Sequence, residues 1–259
     1  MKPEPTSSRR GATLAFALVA VLACVSALAA GPAWLTGWET VKGAGAVKKE
    51  ERVLGHFTGV AVSLPAQVEV RIGNVEGVTV ETDENLLALV QTRIENGSLE
   101  IRAVRDRLEI KPSVLKIVVR AKEIEELSVG GSGSITADAL KGKNLELNVG
   151  GSGSIEVKSA ESQNVSASMG GSGRVKVGGG ATRKLEIAIG GSGDVQAGQL
   201  KADDVDVSIG GSGDVTVWAR EKLNVSVAGS GDINYWGDPK VRSSIVGSGG
   251  AKRLGAAPR

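Results

Sequence analysis

The chain has 259 residues, 41% of them apolar, enough for a sizeable folded core. Its 31 basic and 29 acidic side chains nearly balance, which argues against a nucleic-acid partner, since that would need a basic face. Cys24 is the only cysteine, so the residues after it have no disulfide, thiol nucleophile or cysteine metal site.

The first 30 residues read as an export signal or membrane anchor. Arg9 and Arg10 precede an uncharged run over 11–38, most apolar over 14–30, and Ala27, Leu28 and Ala29 offer a small-residue cleavage site. The run is also long enough to span a bilayer, with Trp34 and Trp38 at the far interface. Val21, Leu22, Ala23 and Cys24 resemble a bacterial lipobox, whose cysteine is acylated. Cleaved, anchored and acylated forms all remain open, and each puts the folded part outside the cytoplasm. Without residues 1–30, which carry Lys2, Arg9, Arg10 and Glu4, 28 basic and 28 acidic residues remain.

Residues 31–51 read as a tether, polar and charged toward its end at Lys48, Lys49, Glu50 and Glu51. Residues 52–126 read as an irregular β segment that caps the repeats C-terminal to it. Apolar residues alternate there over 60–62, 68–72 and 78–80, and period-two alternation marks a strand. Residues 85–94 suit either a short helix or an irregular strand. Asn96 and Gly97 then signal a tight turn between two strands.

Residues 127–254 are built on a repeat. The tetrapeptide GGSG recurs with its serine at Ser132, Ser152, Ser172, Ser192 and Ser212, a spacing of twenty residues, and shorter GSG copies at Ser230 and Ser248 come next at eighteen. Alternating aliphatics flank every copy. A twenty-residue unit with no helical stretch cannot bury its apolar face alone, but stacked copies share a continuous core. The predicted fold is therefore all-β, a right-handed parallel β-helix (solenoid) of about 20-residue coils with an irregular N-terminal cap. A sandwich of hairpins would not demand the same residue at the same phase in every copy. Seven coils at about 4.8 Å each give a rod roughly 34 Å long.

In an uninterrupted strand, Gly151 and Gly153 would face inward with the aliphatics, and Ser152 and Ser154 outward. If the strand breaks there, Ser152 would instead turn in and stack as a hydroxyl ladder. The flanking alternation excludes a flexible Gly-Ser linker, and no helix begins there to make a phosphate-binding loop. At the far end, Tyr235 to Pro239 make a turn. Ser243 then takes the core phase held earlier by Val205 and Val225, as a terminal coil requires.

Aligning the coils by phase exposes two columns with chemical potential. Two residues past each repeat serine come Ser134, Ser154, Arg174, Asp194, Asp214 and Asp232. Three stacked aspartates repel by about 1 kcal/mol per neighbour in water. The column is thus a cation ladder, with calcium the fitting ion, or a solvated face on which Arg174 pairs with Asp194. The calcium-binding β-roll has a nine-residue period and places its aspartate one position later, unlike this repeat. Six residues past the serine come Trp218 and Trp236, with Tyr235 adjacent. An exposed indole pair suits a sugar ring or a protein partner, and it also suits the cover of a turn or a cap edge.

Catalysis has thin support. His56 is the sole histidine and lies at the start of the fold. Asp194 and Asp214 could act as acid and base on a polysaccharide, but nothing in the sequence separates their acidities.

Several stretches together resemble the head GIN domain family of bacteria. They are Arg52 to Phe57 with the alternating strand after it, the NLL and ENGSLEI stretches, the GGSG series, and the closing GSGDINYWGDP, which is the most specific. The resemblance covers residues 52–254 and implies an exported β-solenoid-like domain of adhesin type. The residues after Gly249 are too few for a membrane barrel, so a self-translocating autotransporter is not expected. The predicted function is a non-enzymatic exported module of the periplasm, envelope or cell surface, acting as scaffold or adhesion-like binder, with no metal or cofactor. Its partner would be an envelope protein or a glycan, with membrane attachment through the N-terminal segment. The alternatives are a carbohydrate-binding protein using Trp218 and Trp236, and a polysaccharide-cleaving enzyme.

Overall fold

The computed structural model describes residues 39–258. The GGSG repeats form a stack of parallel coils, held in register by their aliphatics. Leu127 lies on Leu147, Val129 on Val149 and Gly131 on Gly151. Ile135 lies on Ile155, Ala137 on Val157 and Leu145 on Val165, and the same spacing continues upward. In one coil Ile155, Val157, Ala160, Val165, Ala167 and Met169 are all buried. The inward positions of successive coils thus join into one apolar column, the continuous core that a single coil cannot make.

The period-two pattern lapses where the coil bends. Asp138 and Ala139 are successive outward residues, as are the four from Lys141 to Asn144, and the ladder skips Asp138 and Lys143. The third corner is GGSG itself, where each residue has its own task. Gly150 points outward with nothing within 4 Å of where a Cβ would sit. Gly151 has φ +119°, a conformation that only glycine adopts cheaply, and its N- and C-terminal neighbours turn the corner around it. Ser152 is exposed, and its N–H donates to Gly131 O at 2.9 Å. Gly153 is buried, and a Cβ there would lie 2.5 Å from Val129 Cγ1 and 2.6 Å from Gly133 O. Of the two open arrangements, the outward serine is the one adopted. The inward-glycine reading holds for Gly153, whereas Gly151 is needed for its backbone angle.

The coil shortens from twenty to eighteen residues through two adjacent register shifts. Ala197 pairs with Val217 but the next pair is Lys201 with Trp218, which sets aside residues 198–200 of the lower coil. The upper coil regains one residue between Ala219 and Lys222, opposite Ala202 and Asp204. The last coil is β18 (Lys240–Gly247) with β19 (Ala251–Gly255). Its Ser243 lies on Val225 and is exposed, as expected of a terminal coil.

The N-terminal end is built differently. β3 (Gly59–Val62) and β4 (Gln67–Ile72) form a coil directly beneath the first repeat, with Val60 under Leu127 and Val68 under Ile135. Ser63, Leu64, Pro65 and Ala66 thereby occupy the phase of GGSG. The chain then leaves for antiparallel strands and returns as β7 (Ser98–Ala103) and β9 (Leu115–Ala121), which pair in parallel beneath β3 and β4. It crosses that level again to enter the repeats. β5 (Gly77–Asp83) and β6 (Val90–Glu95) run antiparallel to β9 and β7 and close this end. The ambiguous stretch over 85–94 divides, with a 3-10 helix at Glu84–Leu89 and then β6. Asn96 at φ 50° and Gly97 at φ 82° make the expected tight turn into β7.

One expectation is corrected here. The polar residues assigned to a tether form β1 (Glu39–Lys42) and β2 (Val47–Arg52), and β2 pairs antiparallel with β5. A charged sequence suits this place, because exposed lysines and glutamates on an edge strand discourage pairing with another chain.

Carboxylates clip the cap together. Asp83, almost fully buried, accepts from Ser113 Oγ at 2.6 Å and Ser113 N–H at 2.8 Å, which holds its pKa below the ordinary aspartate value. The hydrogen bond from His56, with Lys122 adding to it, lowers the pKa of Glu76, and that from Thr40 lowers the pKa of Glu109. All three groups are depressed in the folded state. Their contribution is therefore complete above the unfolded carboxylate range, about pH 4, and is lost as pH falls toward the folded values. Denaturant melts should show stability falling below about pH 4, with Asp83→Asn flattening part of that loss.

Candidate functional site

Many outward charged side chains interlock coil to coil. Lys158 reaches Asp138 at 2.6 Å, Lys176 reaches Glu156 at 2.8 Å, and Lys141 reaches Glu161 at 2.7 Å. Asn164 donates to Asn144 at 2.9 Å. Each exposed pair adds little by itself, because water screens it, but a column of opposite charges also penalises any slip in register.

The aspartate column joins in this interlocking. Asp194 lies 3.6 Å from Arg174. Asp214 Oδ1 accepts the Asp232 N–H at 3.1 Å, and Asp232 Oδ1 accepts the Gly250 N–H at 2.9 Å. Each of the latter two carboxylates therefore secures the corner of the next coil. Among the described residues, no three acidic or histidine side chains come together in a way that could hold a metal ion. His56 Nδ1 is 2.7 Å from Glu76 Oε1, and its Nε2 is 3.9 Å from Glu123 Oε1, at the surface of the cap. Nothing in the sequence linked His56 to Glu76, because the two meet only when the entry loop folds beside β5.

The tryptophans lie where phase put them, with Trp218 paired to Trp236 in register. Both are half-buried. Lys201 Nζ sits 5.1 Å from the centre of the Trp218 ring, a cation over an aromatic face. Trp236 lies against Gly198 on one edge and Gly255 on the other, where a Cβ would come within 3.6 and 3.0 Å of the ring. The pair therefore covers the place where the coil shortens. Tyr235 is a correction. It pairs with Val217, an inward residue, and packs against the core, so it is not on the indole face. Parity in the sequence already separated them, since adjacent residues of a strand point to opposite sides.

A groove that phase alignment overlooked runs up another face. It is a shallow trough of about 570 Å³ floored by the outward small residues just before each corner, among them Ser168, Gly170, Ser208, Gly210, Ser226 and Ala228. Its signal was present in the sequence. Asn148, Ser168, Ala188 and Ser208 each stand two residues before a GGSG, and Ser226 holds the same phase in the shortened coil. Here four coils or more expose backbone with almost no side-chain cover.

The family model for the "Putative auto-transporter adhesin, head GIN domain" matches residues 56–239. The chain belongs to the head GIN domain family. Three solved structures share the fold of this head GIN chain. A "Putative lipid binding protein" from Parabacteroides distasonis is 27% identical with a TM-score of 0.71, covering 83% of this chain and 100% of that one. A "putative adhesin" from Bacteroides fragilis is 21% identical with a TM-score of 0.76, over the same shares of 83% and 100%. Another, from Parabacteroides merdae, is 19% identical with a TM-score of 0.68, covering 83% of this chain and 99% of that one. No curated protein is significantly similar in sequence. The family and these neighbours are named as adhesins or binding proteins, none as an enzyme. The cleavage site, the anchor and the lipobox Cys24 fall outside the described residues. Among the described residues no helix is long and apolar enough to cross a membrane.

Proposed function

We infer that this head GIN protein is a non-enzymatic, exported, adhesion-like module of the cell envelope, whose rigid solenoid presents a binding face. The observation that carries this reading is the groove. A stack locked by ion-paired columns leaves one long face of small residues free, and a flat, pre-formed face costs little order when a partner docks on it. The partner is an envelope protein or a glycan.

Gly190 tests the reading directly. It is exposed in the groove, and the nearest atom to a Cβ there is Met169 O at 3.9 Å, so a side chain fits without strain. Gly190→Arg should leave the melting temperature within a few degrees of wild type while reducing retention on envelope and peptidoglycan preparations at least tenfold. Unchanged retention would reject the groove as the binding face. A vesicle arm in the same assay shows whether lipid binding, the property named for the Parabacteroides distasonis structure, extends to this chain.

The register match of Trp218 and Trp236 supports a second reading, a carbohydrate platform. It predicts that Trp218→Ala with Trp236→Ala weakens glycan retention with little change in stability. A melting temperature lowered by several degrees with retention intact would show that the rings serve only as cover.

A further inference from the structure

The two ends of the stack differ in how their backbone is satisfied. At the cap, antiparallel strands close the coils and exposed charges guard the edge. At the other end β18 and β19 pair on one side only, with β16 (Val215–Gly229) and β17 (Ile233–Trp236). Val241 is 41% exposed although Leu223 beneath it is fully buried, and Leu254 is 40% exposed.

Charge shows what this edge lacks. Residues 174–193 carry four cations and one anion, and residues 194–213, the coil laid upon them, carry four anions and one cation. The match is made by contact, Arg174 to Asp194 at 3.6 Å and Lys184 to Asp206 at 3.5 Å. Residues 240–255 carry Lys240, Arg242, Lys252 and Arg253 and no acid. Arg253 has Asp238 at 3.6 Å, but the other three have no acidic partner among the described residues. Lys240 lies on Lys222, itself already paired to Asp204, and Arg242 lies on Asn224. This coil is a cationic layer without its acidic complement, and it lies beyond the matched residues 56–239.

We propose that the exposed edge of β18 binds an extended acidic segment of a partner protein, added as a parallel strand. Such a strand gains main-chain hydrogen bonds along an open edge, and alternate side chains set its specificity. Acidic residues at its outward positions meet Lys240 and Arg242, and aliphatic residues at its inward positions cover Val241 and Ile245. The chain contains a template for this ligand. Asp204, Val205, Asp206, Val207, Ser208 and Ile209 lie upon the coil of Lys184 in the same alternation. The proposal is independent of the adhesion reading, which concerns a face of the stack rather than its end.

The probe is a fluorescent peptide with the sequence of residues 203–211, DDVDVSIGG, titrated against the full-length chain by anisotropy. Saturable binding is expected, weakened at least tenfold by Lys240→Glu with Arg242→Glu and progressively by added salt. A peptide with its aspartates changed to lysine should not bind, and this arm decides the matter if the double variant does not fold. Absence of saturable binding, or equal binding of the two peptides, would overturn the proposal. So would sedimentation showing that the chain self-associates through this edge and that the acidic peptide does not compete, since the occupant would then be a second copy.

Discussion

Met169→Asp should abolish cooperative folding or reduce stability by about 4 kcal/mol or more, measured by urea denaturation. Met169 is 4% exposed, in the inward column between Val149 below and Ile189 above. A carboxylate there meets only aliphatic carbon and backbone already engaged in the ladder, so its charge would be unpaired in a dry core. The Met169 sulfur fills space left by the corner glycine Gly193, as Val149 does at Gly173 and Ile189 at Gly213. Met169→Leu keeps volume and polarity and should cost less than about 1.5 kcal/mol. If the Asp variant melted like wild type, the shared-core account of the stack would be wrong.

The second large effect separates two adjacent glycines. Gly151→Val should cost about 3 kcal/mol or more, from a β-branched residue held at φ +119° and a Cβ only 2.8 Å from Gly131 O. Gly150→Val should be almost neutral, since the same phase carries Ala228 and Val246 farther up the stack and nothing approaches a Cβ there. Ser152→Ala, at an exposed position, should cost about 0.5 kcal/mol or less. Thermal melts of the three variants test the corner directly. Equal losses at Gly150 and Gly151 would mean that glycine serves flexibility rather than a particular backbone angle.

Much of this corner was visible without coordinates, and some was not. Parity placed Gly153 inward beside Ile155, because side chains alternate along a strand. Parity also placed Gly151 inward, which holds only if the strand runs straight. The strand turns there, and that became apparent only from the positive φ and from the carbonyl of the coil below. Parity separated Trp236 from Tyr235, yet adjacency in sequence grouped them as one candidate surface. Phase aligned Asp194, Asp214 and Asp232 but said nothing of what each carboxylate accepts. Their partners are N–H groups of the next coil and the guanidinium of the previous one, distant in sequence by a full repeat.

The repeated part of this protein was legible from residue pattern alone: strand rather than helix, stacked coils rather than hairpins, inward aliphatics and family. Repetition makes this possible, because every coil meets a copy of itself and a local pattern read once predicts its neighbour. The ends and the grooved face were settled instead by tertiary contacts. The coil of β3 and β4 lies between β7 with β9 and the first repeat, an order that no local pattern encodes, since strands of one sheet need not follow chain order. The charged stretch at Lys48 and Lys49 became an edge strand because β5 offered it an unpaired ladder, which outweighed its weak strand propensity. The groove and the cationic last coil depend on what stands beside or above a residue in space, and a residue's neighbours along the chain do not carry that information.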